Sequence, residues 1–303
     1  MSVLAVGSIA FDSVKTPFGS AREVLGGSAV YFSLAASYFT SVNLVGVIGE
    51  DFQESHLQVL RERAIDLQGL ETAPGKTFRW SGVYSYDMNE RETLETHLNV
   101  FADFRPKIPE SYRDCRYLFL GNIDPDLQWD ILQQVRKPEL ISLDTMNYWI
   151  ETKRDSLLRA LSAAHLLTLN DGEARQLSEE VNLVKAARKI LDLGPRILII
   201  KRGEYGALMF TDSTVFSAPG YPLEVVYDPT GAGDSFAGGL CGYLANLDNV
   251  CDSTLRQAII FGSTMASFCV EAFSVQRLRN LTYDEILERY RQFRRLSHFD
   301  DVP

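Results

Sequence analysis

The residues best suited to chemistry lie in a loop of small amino acids, DPTGAGDSFAGG at positions 228–239, which leads into an apolar stretch. Gly231, Ala232 and Gly233 leave backbone amides open to an anion, and the positive end of a following helix would strengthen that attraction. Asp234 falls in the first predicted helical turn, beside the bound anion. This pairing suits phosphoryl transfer, because amides stabilise the transferred group while a carboxylate deprotonates the attacking hydroxyl.

The same loop, taken by itself, also fits a purely structural role. The glycines could form a tight turn, and Asp234 could stabilise the helix through its dipole. A GxGD pattern alone does not separate the two interpretations. Other parts of the sequence are needed to choose between them.

Strands and helices alternate along most of the chain and would position this loop. Apolar runs predict buried strands at residues 3–9, 42–48, 117–120, 140–143, 166–169 and 196–200. Helical spacing of apolar residues predicts helices at 28–39, 51–64, 127–135, 153–162, 182–193, 233–244, 254–270 and 283–296. A short hairpin is predicted at 208–210 and 215–217. Strands separated by helices indicate a parallel sheet covered on both faces.

One region interrupts this alternation. Residues 77–86 and 93–100 alternate in polarity and are rich in Thr, Tyr, Trp and Phe, while residues 87–90 between them (DMNE) are typical of a turn. We therefore predict an antiparallel hairpin in a small added β layer. Its aromatic side chains Trp80, Tyr84 and Tyr86 could face a substrate or simply pack within the hairpin.

Composition narrows the function classes. The chain has 303 residues, 46% of them hydrophobic, and a net charge of −10, which disfavours a general nucleic-acid binder. The four cysteines are scattered without metal or disulfide spacing, and the four histidines lack i,i+4 pairing, so we expect no transition-metal site. The sequence shows neither a signal segment nor a long apolar span, so we expect a cytoplasmic protein with no membrane partner.

The whole string at 228–239 resembles the second signature of the ribokinase-like carbohydrate kinases, also called the phosphofructokinase B family. The usual form is D-T-x-G-A-G-D-x-F, and Pro229 departs from it at the second position. The resemblance covers nearly the whole chain. It implies that Asp234 is the catalytic base, that Gly231 to Gly233 form the anion hole, and that Thr230 lies beside the nucleotide.

Two further segments resemble nucleotide-side elements of this family. Asn170 and Glu173 match its N-x-x-E motif, which positions Mg²⁺ and phosphate through water and suits the preference of magnesium for oxygen ligands. Residues 201–206 (KRGEYG) resemble its x-x-G-x-x-G turn next to the nucleotide. The resemblance implies nucleotide contacts from Lys201, Gly203 and Gly206. Alone, the first motif equally fits a helix cap and the second a β-turn.

The N-terminal half resembles the acceptor side of the same family. Asp12 could accept hydrogen bonds from two hydroxyls of a polyol, or it could cap a turn. Gly26 and Gly27 resemble the first signature, a glycine pair that lets the substrate lie against a helix N-terminus. Tyr31 and Ala10 replace asparagines that are frequent in ribokinase-type members, which leaves a ribose-type contact open.

Residues 144–149 (DTMNYW) resemble the D-x-N-x-R element of the family and imply a substrate contact from Asn147. Trp149 stands at about the place of the arginine, which in some members meets an anionic part of the substrate. The loss of that cation argues against a sugar phosphate or a sugar acid as acceptor.

The resemblance implies a ribokinase-like three-layer α/β fold, with a mainly parallel central sheet flanked by helices. We expect a single kinase domain over residues 1–303, with a β-sheet lid from about 13–30 and 75–102. The expected activity is Mg²⁺- and ATP-dependent phosphorylation of a hydroxymethyl group on a neutral sugar or nucleoside; a monovalent cation could also bind. Alternatives are an adenosine-type nucleoside kinase specifically, a sugar-phosphate kinase, or a catalytically idle binding regulator. The exposed hairpin edge also suggests a homodimer formed through the lid.

Overall fold

The computed structural model describes residues 2–300, which form thirteen strands and eleven α-helices. In chain order the strands are β1 (Ser2–Val6), β2 (Ala10–Thr16), β3 (Gly19–Gly26), β4 (Ser41–Gly49), β5 (Asp66–Ala73), β6 (Phe78–Tyr84), β7 (Arg91–His97), β8 (Tyr117–Leu120), β9 (Leu140–Asp144), β10 (Leu166–Asn170), β11 (Ile197–Lys201), β12 (Ala207–Phe210) and β13 (Val215–Ala218). The helices are α1 (Ser28–Ala36), α2 (Glu54–Arg61), α3 (Pro125–Leu132), α4 (Asn147–Thr152), α5 (Arg154–Leu161), α6 (Asp171–Ser178), α7 (Leu183–Leu191), α8 (Ala232–Leu247), α9 (Asp252–Cys269), α10 (Gln276–Arg279) and α11 (Tyr283–Ser297).

Nine strands form the central sheet, in the order β13-β12-β11-β10-β9-β8-β1-β4-β5. All neighbours from β11 to β5 pair in parallel, whereas β12 and β13 pair antiparallel at one end. Parallel neighbours need crossover connections, and the intervening helices supply them. The strands therefore present their carboxyl ends along one edge of the sheet.

Apolar layers cover both faces of the central sheet. In β1, Val3 and Ala5 belong to one core cluster, with side chains of α1, α8 and α9, while Leu4 and Val6 belong to the other, with α3, α5, α6 and α7. Burial on both sides explains why the central strands read as continuous apolar runs. The predicted three-layer α/β fold with a mainly parallel sheet is confirmed.

Glycines inside α8 allow the closest helix contacts in the first of these layers. A Cβ atom at Gly238 would overlap the Phe32 carbonyl oxygen of α1, and one at Gly239 would press on the Phe261 carbonyl oxygen of α9. Only glycine lets the three backbones approach this far. The last glycines of the segment 228–239 therefore allow close helix packing, whereas the first residues of the segment form the loop before α8.

Four strands form a separate small sheet, which we call the lid, in the order β3-β2-β6-β7. The pairs β2/β3 and β6/β7 are antiparallel, as predicted for the second pair, whereas β2 and β6 run parallel. Strand β2 begins at Ala10, and residues 28–30 belong to α1. Both outer strands, β3 and β7, are largely exposed.

A network at Asp51 ties the lid to the body where the chain enters β6. One Asp51 carboxylate oxygen accepts hydrogen bonds from the backbone N–H of Thr77 (2.8 Å) and from its hydroxyl (2.7 Å). The other oxygen lies 2.8 Å from the guanidinium of Arg79. Charge-assisted bonds of this kind fix the attachment point, so the lid is held at its base.

Three local expectations differ from the structure. The strand expected at 3–9 ends at Val6, because Ser8 instead exchanges hydrogen bonds with Ser28 at the start of α1. Strand β5 was not predicted, since at the sheet edge it is half exposed and lacks a buried apolar run. Helices α4, α6 and α10 were also not predicted. Within residues 2–300, every helix is too short or too polar to cross a bilayer.

Candidate active site

Three polar side chains meet at the carboxyl edge of the central sheet. Asp144, Asn170 and Lys201 are the last residues of β9, β10 and β11, which are parallel neighbours. In open α/β sheets this edge is where ligands bind. The beginning of α8 reaches the same place, because Gly233 lies next to the Lys201 side chain.

The conformation of the loop before α8 is fixed by the backbone of Gly231 and by hydrogen bonds to Asp228. Gly231 caps the helix with φ +77°, and a Cβ atom there would overlap the ring of Tyr31. Asp228 fixes the loop through hydrogen bonds: its carboxylate accepts from the N–H of Thr230 (2.9 Å) and from the N–H of Ser274 (3.2 Å). Asp228 is buried. It is therefore a structural support for the residues that follow.

Asp234 lies in the first turn of α8, as predicted. Removal from bulk water and the nearby charge of Asp144 raise the pKa of its carboxyl to about 7, while Lys201 and Arg91 act in the opposite direction. A base with a pKa near neutrality combines a large ionised fraction with a useful proton affinity. A carboxyl group with this pKa can accept a proton at neutral pH.

Lys201 supplies a cation beside the amides of residues 231–233. Its Nζ atom lies 3.1 Å from the Asp144 carboxylate and 3.0 Å from where a Cβ of Gly233 would be. Burial alone would lower the pKa of Lys201, but the charges of Asp144, Glu173 and Asp234 outweigh it and raise the pKa. The ammonium therefore stays charged, ready to meet an anion.

Asn170 and Glu173 form a capping box at the start of α6. The Asn170 side chain accepts from the N–H of Glu173 (2.8 Å), and Glu173 Oε2 accepts from the N–H of Asn170 (2.7 Å). Burial, with a contribution from Asp144, raises the pKa of Glu173 to about 7 despite Lys201. The cap engages one carboxylate oxygen, Oε2, in a hydrogen bond, and Oε1 can accept from a metal-bound water.

Asp12 lies on β2 of the lid, near enough to Asp234 for their charges to interact. We call the space between the lid and the carboxyl edge of the central sheet the cleft. A Cβ atom at Gly26 would overlap the Asp12 carboxylate, so glycine is required there for space, and Gly27 follows at φ +97° as the cap of α1. Burial, then the charges of Asp228 and Asp234, raise the pKa of Asp12 to about 7. A buried carboxylate of this kind gains most from ligand hydroxyls that donate hydrogen bonds.

The lid also brings two residues that sequence reasoning did not assign to the site. Arg91 is the first residue of β7, and its guanidinium lies 5.8 Å from the centroid of the Trp80 ring. Its charge slightly lowers the pKa values of Asp12, Glu173 and Asp234, which burial raises. The Tyr84 hydroxyl lies 3.3 Å from that of Thr230. Arg91 belongs to no motif and lies in a hairpin whose residues alternate in polarity, so the sequence did not indicate a role for it. Tyr84 was one of three aromatic candidates, and its neighbour Tyr86 is 89% exposed.

Asp144 was visible in the DTMNYW segment but was not predicted as a site residue, although it ends a strand just as Asn170 does. Asn147, which was predicted to bind substrate, is the exposed first residue of α4. Trp149, at the place of the family arginine, donates from its indole N–H to Asn122 at 3.0 Å. Gly203 and Gly206 lie in the turn after β11.

Comparison with known proteins agrees with this geometry. The model of the pfkB family carbohydrate kinases matches residues 3–280. The chain belongs to this family. A cytidine kinase from Thermococcus kodakarensis is 30% identical over 250 residues, covering 80% of this chain and 88% of that protein. A nucleoside kinase from Methanocaldococcus jannaschii is 25% identical over 290 residues, covering 93% and 90% of the two chains. The crystal structure of the M. jannaschii nucleoside kinase superimposes with a TM-score of 0.77 over 96% of this chain and 98% of that one, at 20% identity.

Membership confirms the predicted family and reaction class. PfkB carbohydrate kinases are phosphotransferases that use ATP and an alcohol acceptor, and this chain is a sugar or nucleoside kinase. The structural likeness independently confirms the ribokinase-like fold. Within residues 2–300 no cluster of three or more His, Cys, Asp or Glu side chains is arranged to bind a metal directly.

Proposed function

We propose that this kinase transfers the γ-phosphoryl group of Mg-ATP to the primary hydroxyl of a nucleoside. The observation that carries the proposal is the placement of Asp234, a carboxylate with a pKa near 7, beside the amides that begin α8 and the partly buried Lys201 ammonium. Together these groups provide a base, an oxyanion-binding loop and a cation around one point. That is the set that phosphoryl transfer needs.

The proposed transfer is a single displacement. The acceptor hydroxyl oxygen attacks the γ-phosphorus, the bond from that phosphorus to the β–γ bridging oxygen breaks, and ADP leaves. The acceptor proton passes to the Asp234 carboxylate. The amides of residues 231–233 and the Lys201 ammonium stabilise the negative charge on the transferred group, while Asp12 orients the acceptor through its other hydroxyls.

Magnesium fits the nucleotide side in the indirect way that the family motif implies. Glu173 uses one carboxylate oxygen in the cap of α6, which leaves the other to accept a hydrogen bond from a metal-bound water. Asn170 lies beside it. Magnesium retains several waters when bound to nucleotides, so two oxygen-bearing side chains suffice to position it. The ion would neutralise charge on the phosphates.

The acceptor side favours a neutral molecule. Asp12 and Asp228 are both buried and repel one another, as the raised pKa of Asp12 shows. A phosphorylated acceptor would bring further negative charge to this place, whereas the hydroxyls of a sugar would donate to Asp12. A nucleoside is supported by the names of the related cytidine and nucleoside kinases, and by the aromatic side chains Trp80 and Tyr84 of the lid.

We further propose that two copies pair through their lids. Strands β3 and β7 are both edge strands of the lid sheet and are largely exposed, so each offers unpaired backbone groups to another strand. Sedimentation velocity tests this directly: a species of twice the chain mass at micromolar concentration supports lid pairing, and a monomer at all concentrations contradicts it.

The function is tested by incubating the protein with Mg-ATP and a panel of acceptors while ADP release is measured. The panel contains cytidine, uridine, adenosine, inosine, ribose, fructose and fructose 6-phosphate. We expect strong stimulation by at least one nucleoside, little by fructose 6-phosphate, and none in the Asp234→Asn variant. Stimulation by a free sugar and by no nucleoside would contradict the nucleoside assignment, while leaving the kinase assignment intact.

A further inference from the structure

The turn that joins β6 to β7, residues 87–90, is pre-shaped by its own hydrogen bonds; we call it the lid turn. Asp87 Oδ1 accepts from both the backbone N–H and the side-chain Nδ2 of Asn89, at 3.1 Å each. The N–H of Glu90 donates to the Asp87 carbonyl at 3.2 Å. These bonds fix the Asn89 amide group, so that its Oδ1 atom points in a defined direction.

Asn89 Oδ1 lies against Gly203 in the turn after β11, residues 201–206, which we call the nucleotide turn. A Cβ atom built at Gly203 would overlap this oxygen, so there is no space for a side chain between the two turns. Asp87 is also close, because its charge contributes to the raised pKa of Tyr205. The lid therefore contacts the nucleotide turn, which directly follows β11.

Arg91 follows Asn89 by two residues, so the seat of the lid turn also determines where this guanidinium lies. Its charge acts on Asp12, across the cleft, and on Glu173 and Asp234 at the sheet edge. Asp12 itself is part of the lid sheet, on β2, which pairs with β6. One rigid sheet therefore carries the acceptor-holding Asp12, the Arg91 cation and the lid turn.

We propose that Asn89 is a positioning residue that docks the lid on the nucleotide turn and thereby couples acceptor binding to nucleotide binding. This inference rests on the proposed function. Closure of the lid over an acceptor presses the lid turn onto Gly203, and a nucleotide that orders residues 201–206 completes the seat for the lid. Each ligand then favours the closed state that the other requires, so the coupling is reciprocal.

The test is a double-mutant cycle on Asn89→Ala and Gly203→Ala. A methyl group at Gly203 would strike Asn89 and lift the lid, so we expect G203A to lower kcat by at least about tenfold. Asn89→Ala removes the obstructing atom, and the double variant should return to the rate of N89A alone. A double variant no faster than G203A would overturn the proposal.

Gly206→Ala is the matched control, because Gly206 lies in the same turn and also has a positive φ, +84°, but a Cβ there would overlap the Ala218 carbonyl and not the lid. Combining G206A with N89A should multiply the two separate losses, without rescue. Rescue of G206A by N89A would mean that N89A loosens the turn in general, which would also overturn the proposal.

A second readout needs no turnover. Hydrogen–deuterium exchange of residues 85–91 is measured with and without Mg-AMP-PNP. We expect the non-hydrolysable nucleotide to slow exchange there at least about threefold in the wild type and not in Asn89→Ala. Equal protection in both proteins, or none in either, would overturn the docking role. If the wild type shows protection but phosphorylates no acceptor, the proposed function fails while the lid contact stands.

Discussion

The proposed nucleotide side and the proposed acceptor side of the cleft differ in which cations lie near their buried and half-buried carboxylates. On the nucleotide side, Asp144, Glu173 and Asp234 surround the Lys201 ammonium, which stands 3.1 Å from Asp144. On the acceptor side, burial and then the negative charge of Asp228 raise the pKa of Asp12. The cation that lowers the pKa of Asp12 is Arg91, a residue of the lid.

This difference assigns a ligand charge to each side. On the proposed nucleotide side, a partly buried ammonium next to backbone amides would meet phosphate groups without first having to move into place. The acceptor side instead presents the Asp12 carboxylate, to which the backbone N–H of Gly27 donates and to which ligand hydroxyls could add further hydrogen bonds. We propose that this distribution of charge helps the two sides to distinguish the nucleotide from a neutral acceptor.

The largest expected effect comes from the residue shared by both sides. Asp234→Asn keeps the shape of the side chain but cannot take the acceptor proton, so we expect kcat to fall by about 10²–10⁴-fold. Nucleotide affinity should change little, since Lys201 and the amides remain. Steady-state kinetics and calorimetry measure the two quantities, and a variant that retains wild-type kcat would remove Asp234 from the role of base.

Replacing the acceptor-side carboxylate should separate the two ligands. Asp12→Asn loses charge-assisted bonds to acceptor hydroxyls, so we expect kcat/KM for the acceptor to fall by about 10²–10³-fold. The dissociation constant for Mg-AMP-PNP should stay within about twofold. If Asp12→Asn weakens Mg-AMP-PNP binding by the same factor as it lowers kcat/KM for the acceptor, Asp12 does not act on the acceptor side alone.

Removing the nucleotide-side cation should do the reverse. Lys201→Met is expected to weaken Mg-AMP-PNP binding by about 10–100-fold, and to move the acid limb of the kcat/KM profile to higher pH, because Lys201 lowers the pKa of Asp234. Since the variant leaves Asp144 without its partner, the double variant K201M/D144N controls for misfolding. An unchanged acid limb in a folded variant would argue against electrostatic contact between Lys201 and the base.

The smallest effect concerns stability. The pKa of Asp12 is raised from 3.8 to about 7, so its contribution to stability is present below about pH 4 and is lost as the pH rises through about 7. Asp12→Asn removes the buried charge and should increase the free energy of unfolding at pH 8 by about 1–3 kcal/mol, with little change at pH 4. Urea denaturation at both pH values checks this, and an equal change at the two would point to a packing effect instead.

The elements that could be predicted from sequence are those with a complete local signal. Strands β1, β8, β9, β10 and β11 are buried on both faces, so their apolar runs stand out. Strand β5 lies at the sheet edge and β3 at the lid edge, and both are mostly exposed or half-buried and lack a continuous apolar run. Their positions depend on partners distant in the chain, which no local pattern records.

The site divides in the same way. The loop at 228–239 could be recognised because all its functional atoms lie within a few consecutive residues. Arg91 and Asp144, by contrast, reach Asp234 from other strands, and Tyr84 reaches Thr230 across 146 positions of the chain. Residues that meet from distant parts of the chain form no motif of fixed spacing, so the sequence alone does not reveal such contacts.

The sequence by itself determined the kinase signature, the alternation of the buried strands with most of the helices along the chain, and the residues able to supply a base and an amide cradle, because each depends on neighbouring residues. Only the tertiary structure decided the electrostatic partners. The pKa values near 7 of Asp12, Glu173 and Asp234 arise from burial and from charges brought together by packing. Coulomb interactions depend on distance in space and on exclusion of water, and folding sets both.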